Sequence, residues 1–162
     1  MITPAPTTHT VREQIMQHLK ERFESVESPY DDDDVYPLVW NYVTRKPITK
    51  GQAEKYPYLI GFYDTTSRIR EGMQYDMHNL NVVIEFHVRL MESDEPSTFL
   101  NHCLGQIVKR IGQDIHMGGL ALNAREAGSE LDIDGPFDKY VSGVIVFDIT
   151  FRTRANDPYT RV

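Results

Sequence analysis

Hydrophobic residues occupy every second position between Leu80 and Leu90, and most positions between them are polar. This period of two predicts a long β-strand with one buried face and one face that is wet or meets a partner. The buried face consists of Leu80, Val82, Ile84, Phe86, Val88 and Leu90, and the other is dominated by Asn81, Glu85, His87 and Arg89. Tyr140 to Thr153 repeats the pattern, with Val141, Ile145, Phe147, Ile149 and Phe151 on one face. The chain is therefore expected to build a sheet around two long strands.

Two segments carry hydrophobic residues at helical spacing. The first begins after Thr10, whose spacing to Glu13 fits a capping box that satisfies free backbone N–H groups. Its apolar stripe is Val11, Ile15, Leu19, Phe23 and Val26, and Ser28-Pro29 ends it. The second begins near Pro96, because proline is favoured in a first helical turn, and its stripe is Phe99, Leu100, Cys103, Leu104, Ile107, Val108 and Ile111. We expect Phe86 and Phe147 to point into the core beneath these helices, beside Leu19 and Leu104.

Between the helices, the sequence predicts shorter strands at Leu38–Arg45 and Tyr56–Tyr63. Asp64–Asn79 then follows as a long connection without obvious regular structure. Such a connection inside a compact domain is usually functional or disordered. This one also contains apolar residues that a solvated loop does not need, namely Ile69, Met73, Tyr75 and Met77. We expect it to be mobile in a free subunit and to become ordered on assembly.

These elements predict an α+β fold. We expect a small, mostly antiparallel sheet of about four to five strands with two helices on one face, in the order α-β-β-β-α-β. A flexible N-terminus covers residues 1–10, a single domain residues 11–154 and a polar tail residues 155–162. A chain of 162 residues is the size of one ordinary domain and can bury a core without metals or disulfides.

Composition narrows the class of protein. The single cysteine, Cys103, excludes an internal disulfide and suits a reducing compartment. Residues 1–10 lack the charged start and apolar core of a signal peptide, and no apolar run approaches the length of a membrane span. We expect a soluble protein that is made inside the cell and has no membrane partner. The formal charge of −7 argues against a general nucleic-acid binder, because phosphate binding needs a positive surface.

Few residues suggest chemistry. Asp31 to Asp34 offers oxygen ligands for calcium but lacks the alternation and distal glutamate of an EF-hand, and it is typical of a solvated turn. A zinc site from Glu85 and His87 with His78 or His102 is a second hypothesis, which no H-x-x-x-H, H-x-H or C-x-x-C spacing supports. We predict neither enzymatic activity nor a cofactor. The alternative is a small metal-dependent hydrolase that uses Asp31 to Asp34 with a histidine.

Charges of one sign predominate in blocks along the chain. Two acidic blocks consist of Glu21, Glu24, Glu27, Asp31, Asp32, Asp33 and Asp34, and of Glu126, Glu130, Asp132, Asp134 and Asp138. A basic block consists of Arg45, Lys46, Lys50, Lys55, Arg68 and Arg70. The two acidic blocks contain only Arg22 and Arg125 as basic residues, and the basic block contains only Glu54 and Asp64 as acids. Any single charge is typical of a solvated surface. Taken together, opposite patches on one subunit favour head-to-tail contacts between copies.

The order of these elements resembles the tail terminator (tail completion) proteins of tailed bacteriophages. The resemblance rests on Val11–Val26 as first helix, Tyr58–Tyr63 and Leu80–Leu90 as hairpin strands, Phe99–Ile111 as second helix and Val144–Arg152 as closing strand. It implies a ring, usually a hexamer, that caps the finished tail tube and joins the tail to the head connector in the neck of the virion. It implies no catalytic residue.

The resemblance also implies the partners. They are further copies of the chain, the tail tube protein and the connector or neck protein, in a virion assembled in the bacterial cytoplasm. Genomic DNA would pass through the ring without specific binding, because an acidic lumen repels phosphates. Two alternatives remain open: another head–tail connector or neck component of similar fold, and a generic intracellular α+β adaptor or binding domain.

We expect contacts with other subunits or partners at Asp31, Asp32, Asp33, Asp34, Arg68, Arg70, Met73, Tyr75 and Met77. In this interpretation the arginines reach the acidic Asp31 to Asp34 turn of a neighbour, while the methionines and Tyr75 pack at the interface. The half-apolar sheet face with Val83, Val144 and Val146 is a second candidate contact surface.

Overall fold

The computed structural model describes residues 9–24, 40–90, 95–133 and 140–162. The helices are α1 (Val11–Glu24), α2 (Lys50–Lys55) and α3 (Pro96–Gly112), with a short 3-10 helix at Met117–Gly119. The strands are β1 (Tyr42–Thr44), β2 (Tyr58–Arg70), β3 (Tyr75–Arg89), β4 (Asn123–Asp132), β5 (Tyr140–Arg154) and β6 (Asp157–Arg161). Val26, Ser28-Pro29 and Leu38 lie outside the described residues.

The six strands form one mixed sheet in the order β1-β2-β3-β5-β4, and β6 pairs with β5 beyond the end of β4. Only β1 and β2 run parallel, and every other pair is antiparallel. The predicted α+β class is confirmed. The predicted order is only partly right, because α2, β4 and β6 were not anticipated and the expected tail at residues 155–162 contains β6.

The side of the sheet covered by α1 and α3 holds the main core. The alternating residues predicted to be buried on β3, Leu80 through Val88, are fully enclosed, and so is their counterpart set on β5. Phe86 and Phe147 are 0% and 2% exposed, which confirms the predicted facing of both strands. Phe86 lies opposite Gly143 on β5. A Cβ at Gly143 would come within 2.4 Å of the Phe86 ring, so the ring occupies the space of the missing side chain.

The prediction that Asp64–Asn79 forms a connection without regular structure is wrong. β2 continues to Arg70 and β3 begins at Tyr75, so that only residues 71–74 form a turn. A bulge between Asp64 and Ser67 shifts the phase of β2 and hides its alternation. We call residues 67–78 the hairpin arm. β5 supports the arm on the far side of β3, through pairs that run to Tyr75 and Arg154.

The turn of the hairpin arm is joined to the turn between β5 and β6. Asp76 accepts hydrogen bonds from the backbone N–H groups of Gly72 (3.4 Å) and Asn156 (3.1 Å), and Ala155 N–H donates to the Gln74 carbonyl (3.2 Å). Asn156 has a φ of 59°, a left-handed conformation that asparagine tolerates in turns. Both chain reversals therefore lie at the same end of the sheet.

The opposite face of the sheet is covered only at one end. The backbone between β1 and α2 crosses it at Gly61, where a Cβ would lie 2.7 Å from the Lys46 carbonyl oxygen. A complete capping box of Thr49 and Gln52 starts α2 directly after this crossing. Leu59 on this face and Ala53 in α2 are both buried, outside the main core. We call the uncovered remainder of this side the open face.

Candidate interaction surface

The residues proposed for zinc are separated: Glu85 and His87 share one face of the sheet, His78 lies on the other, and His102 lies on α3. Register places Glu85 and His87 on the face opposite the main core, where the His87 Nε2 is 2.8 Å from a Glu85 oxygen. His78 points to the other side, stacks on Phe151 with ring centroids 4.5 Å apart, and bonds Thr153 Oγ1 at 2.8 Å. Over residues 9–24, 40–90, 95–133 and 140–162, no group of three histidine, cysteine or acidic side chains is placed to bind a metal.

Cys103 does not have the environment of a nucleophile. It lies in the core on α3 with 1% of its surface exposed. Burial raises the pKa of its thiol to about 12, because the charged thiolate is poorly solvated there. This places Cys103 among structural cysteines, as its position in the helical stripe predicts.

The centre of the open face is a small apolar patch. Val83 lies opposite Val146 on β5, and Val144 lies beside them with 37% of its surface exposed. Polar residues surround this patch, among them Glu85 and Asp148. An apolar centre with a polar surround is the usual composition of a protein contact surface. The sequence correctly identified these valines as neighbours on one face.

The hairpin arm extends the open face beyond the body of the sheet. Arg68, Arg70, Tyr75 and Met77 share this side, since Arg68 pairs with Asn79 and Arg70 with Met77. The two arginines are exposed and form no ion pair with any carboxylate that the structure describes. Tyr75 receives the guanidinium of Arg152 over its ring at 5.0 Å. The structure thus brings together four of the nine residues predicted for contacts.

Met73 and Ile69 add apolar surface around the arm. Met73, at the turn, is fully exposed, and Ile69 is 56% exposed on the side opposite the arginines. Sequence analysis placed Met73 at a contact but treated Ile69 only as part of a loop. Asp31, Asp32, Asp33 and Asp34 lie outside the described residues, so their predicted contact with the arginines stays a prediction.

Two ion pairs fix the start of α1 against the sheet. Arg12 Nε lies 2.5 Å from Asp64 at the β2 bulge, and another guanidinium nitrogen donates to the Thr65 carbonyl at 3.1 Å. Glu13 accepts two hydrogen bonds from Arg45, which lower the pKa of its carboxyl group. The Thr10 hydroxyl accepts a hydrogen bond from the Glu13 N–H at 3.1 Å, as predicted. The Glu13 side chain binds Arg45 and therefore does not complete the predicted capping box. Sequence reasoning missed both pairs.

A cavity of about 200 Å³ lies beneath the hairpin arm on its helix-facing side. It is lined by Thr10, Arg12, Ser67, Ile69, His78, Phe151, Thr153 and Pro158. Burial lowers the pKa of His78, because the charged imidazolium is less well solvated there. Within this lining the Thr153 hydroxyl lies 2.8 Å from His78 Nε2, and we assign the cavity no function.

Charges of opposite sign occupy opposite edges of the sheet. The β2 edge carries Arg68 and Arg70, whereas β4, at the other edge, carries exposed Glu126, Glu130 and Asp132 against the single arginine Arg125. This separation refines the charge blocks seen in the sequence, because it assigns part of each block to a strand.

A comparison of the sequence with models of known protein families finds no match, and a comparison with curated proteins finds none either. Of the helices that the structure describes, none has the length and apolar character needed to cross a membrane.

Proposed function

We propose that this protein is a non-enzymatic structural protein of a tailed bacteriophage. Its copies form a ring that terminates the tail tube and joins the tail to the head connector. The observation that carries the proposal is the continuous surface formed by the open face and the hairpin arm. This surface combines the exposed valine patch with Tyr75, Met77 and two arginines that have no ion-pair partner among the described residues.

The arrangement of elements supports the same proposal. Two helices pack on one face of a largely antiparallel sheet, and a long hairpin extends from it, as the resemblance to tail terminators implies. An extended hairpin gives a subunit reach toward a neighbour, while the helix-covered face keeps the monomer core intact. The finer claim of a hexamer rests on the resemblance alone.

Ring formation needs two different surfaces that fit each other. Rotational symmetry brings one patch of a subunit against another patch of the next, and the ring closes if the rotation permits it. The basic β2 edge and the acidic β4 edge have the required complementary charges. Genomic DNA passes through without specific binding.

The test uses purified protein with and without purified tail tubes. We expect electron microscopy to show a ring at one end of each tube, and mass photometry to show a closed oligomer at high concentration. Lys46→Glu with Lys55→Glu is the control for charge reversal in the arm. It should still form the ring, because both lysines are exposed in the basic block but lie away from the arm. A protein that stays monomeric in every condition and never binds a tube end would refute the proposal.

A parallel assay addresses the position in the neck. Immobilised connector particles and tail tubes are offered separately to the same protein. A terminator binds tube ends and then recruits connectors, whereas another neck component binds connectors in the absence of tubes.

A further inference from the structure

Within the part of the chain that the structure describes, each of the two edges of the sheet has a strand segment without a backbone partner. On β2, β1 pairs only with Leu59, Ile60 and Gly61, and the Thr65 carbonyl is taken by Arg12. Residues 66–70 then have β3 on one side and no backbone partner on the other among the described residues. We call this segment the basic edge. β4 is the outermost strand at the far side, and its outer edge likewise lacks a described backbone partner.

Unpaired edges are templates for further strands. Their free N–H and C=O groups readily accept a strand from another chain, and proteins usually obstruct them with proline, a covering element or strong charge. Neither residues 66–70 nor β4 contains proline. Both do carry charge, and their net charges are opposite, because the acids of β4 outnumber its one arginine, Arg125. Each edge therefore repels its own kind and attracts the other.

We propose that the basic edge of one copy pairs with β4 of the next copy, so that one sheet continues from subunit to subunit. This inference rests on the proposed ring and names its contact. The occupant of each edge is a second copy of this chain, because the complementary edge is on the same molecule. A head-to-tail contact of this kind leaves one edge of each type free on any open chain of subunits, and a ring satisfies both.

Strand direction is consistent with this junction. β2, β3, β5 and β4 alternate in direction across the sheet. Rotation about a ring axis keeps each strand's sense relative to the axis, so β4 of one subunit meets β2 of the next in antiparallel orientation. The alternation therefore continues without interruption around the ring.

The facing of the side chains is also consistent. Arg68 and Arg70 point to the open face, and so do Glu130 and Asp132, which pair with Val144 and Ser142. On the helix-facing side, Ile69 is exposed on the arm and Leu131 packs at the border of the core. A junction that keeps the faces aligned places opposite charges beside each other on the open face.

The stagger of the junction fits a barrel. Placing Arg68 opposite Glu130 shifts neighbouring subunits by six residues along β5, from Thr150 to Val144. From one subunit to the next, the sheet is therefore displaced by about 20 Å along the strands, which is six residues, and by about 19 Å across them, which is four strand spacings. The strands then tilt by about 45° from the ring axis, at the upper end of the 35–45° that closed barrels typically show.

Charge reversal with rescue tests the junction. Arg68→Glu with Arg70→Glu should abolish the oligomer, and Glu130→Arg with Asp132→Arg should do the same. Combining all four substitutions should restore it, because the attraction is re-established with its sign exchanged. If wild type forms rings and neither double variant affects them, the junction is wrong while the ring stands. If wild type forms no ring even with tail tubes, the proposed function itself fails.

Disulfide trapping tests the register. Arg68 opposite Glu130 places Ile69 opposite Ser129, within the reach of a cross-strand disulfide. Ile69→Cys with Ser129→Cys should give a ladder of covalent oligomers on oxidation of assembled protein. The native thiol does not interfere, because Cys103 is buried. Ile69→Cys with Gly105→Cys is the control, since Gly105 is open to solvent on α3. Ile69→Cys with Leu131→Cys tests the register that is shifted by two residues. An assembled ring in which Ile69→Cys cross-links with neither Ser129→Cys nor Leu131→Cys overturns the pairing.

Discussion

Arg12 and Asp64 are 52 residues apart in sequence and form an ion pair at the point where β2 bulges. The pair joins the first turn of α1 to the origin of the hairpin arm. Because the same guanidinium also bonds the Thr65 carbonyl, it holds both the side chain and the backbone of the bulge. The direction in which the arm leaves the sheet therefore depends on α1.

Replacing Arg12 with glutamine should lower the free energy of unfolding by about 1 kcal/mol, since the pair is partly exposed and screened. Urea titration followed by the fluorescence of Trp40, the single tryptophan, measures this. Lys20→Gln is the control, because Lys20 forms only a surface pair with Glu24 at 3.7 Å and should cost less than about 0.5 kcal/mol. Equal effects of the two variants would show that the bulge is not held by Arg12.

Gly143→Ala should destabilise the protein by about 1–3 kcal/mol, because its methyl group would overlap the Phe86 ring. Phe86→Leu in the same chain should recover part of the loss by vacating that space. Gly105→Ala is the control, for which we expect a gain of about 0.5–1 kcal/mol, since this helical glycine has nothing within 4 Å. A neutral Gly143→Ala would contradict the close approach of Phe86.

Phe86→Ala and Phe147→Ala should each lower the free energy of unfolding by about 3–5 kcal/mol, because both rings are enclosed in the core. Val144→Ala, on the open face of the same β5, is the matched comparison and should cost much less. Thermal melting measures all three. A wild-type melting temperature for either phenylalanine variant would contradict the facing of its strand.

Arg68→Glu with Arg70→Glu should leave the monomer's unfolding free energy within about 0.5 kcal/mol of wild type, as for ordinary surface changes. The same variant should lose ring formation and tail completion. Comparing thermal melting with sedimentation at low salt separates the two effects. Loss of folding would assign the arginines to the monomer, and normal assembly would remove them from the interface.

His78 predicts a pH dependence of stability. Burial lowers its pKa in the folded protein below the unfolded value near 6.5, so the unfolded chain binds more protons in that window. Stability should therefore fall as the pH drops below about 6.5 toward the folded pKa. His78→Phe keeps a ring against Phe151 and removes the titration, so its urea midpoint should change less between pH 7.5 and pH 5. An unchanged difference would exclude His78 as the source.

The sequence predicted the parts of the fold in which one face is buried. β3 and β5 alternate clearly because α1 and α3 exclude water from one side of each strand. The arm has no such asymmetry, since Ile69 and Tyr75 are exposed on opposite sides, and the bulge after Asp64 breaks the phase. β4 is mostly exposed on both faces and therefore lacks a pattern.

The interaction surface was predictable only in part. Arg68, Arg70, Tyr75 and Met77 were identified by residue type, and the structure places them on one face. The pairing of Arg12 with Asp64 leaves no local signal, because it joins distant segments. The sequence did contain a signal that separates the histidines. His78 is an odd number of residues away from both Glu85 and His87, and side chains at such a spacing in one strand point to opposite faces.

The unbroken ladder between β3 and β5 has a mechanical consequence. The two strands pair residue for residue from Tyr75–Arg154 to Arg89–Tyr140, without a bulge. A force along these strands loads all of their hydrogen bonds in shear, so they must break together, whereas a force across them opens one bond at a time. The β3–β5 ladder is therefore the part of the sheet that best resists tension along its strands.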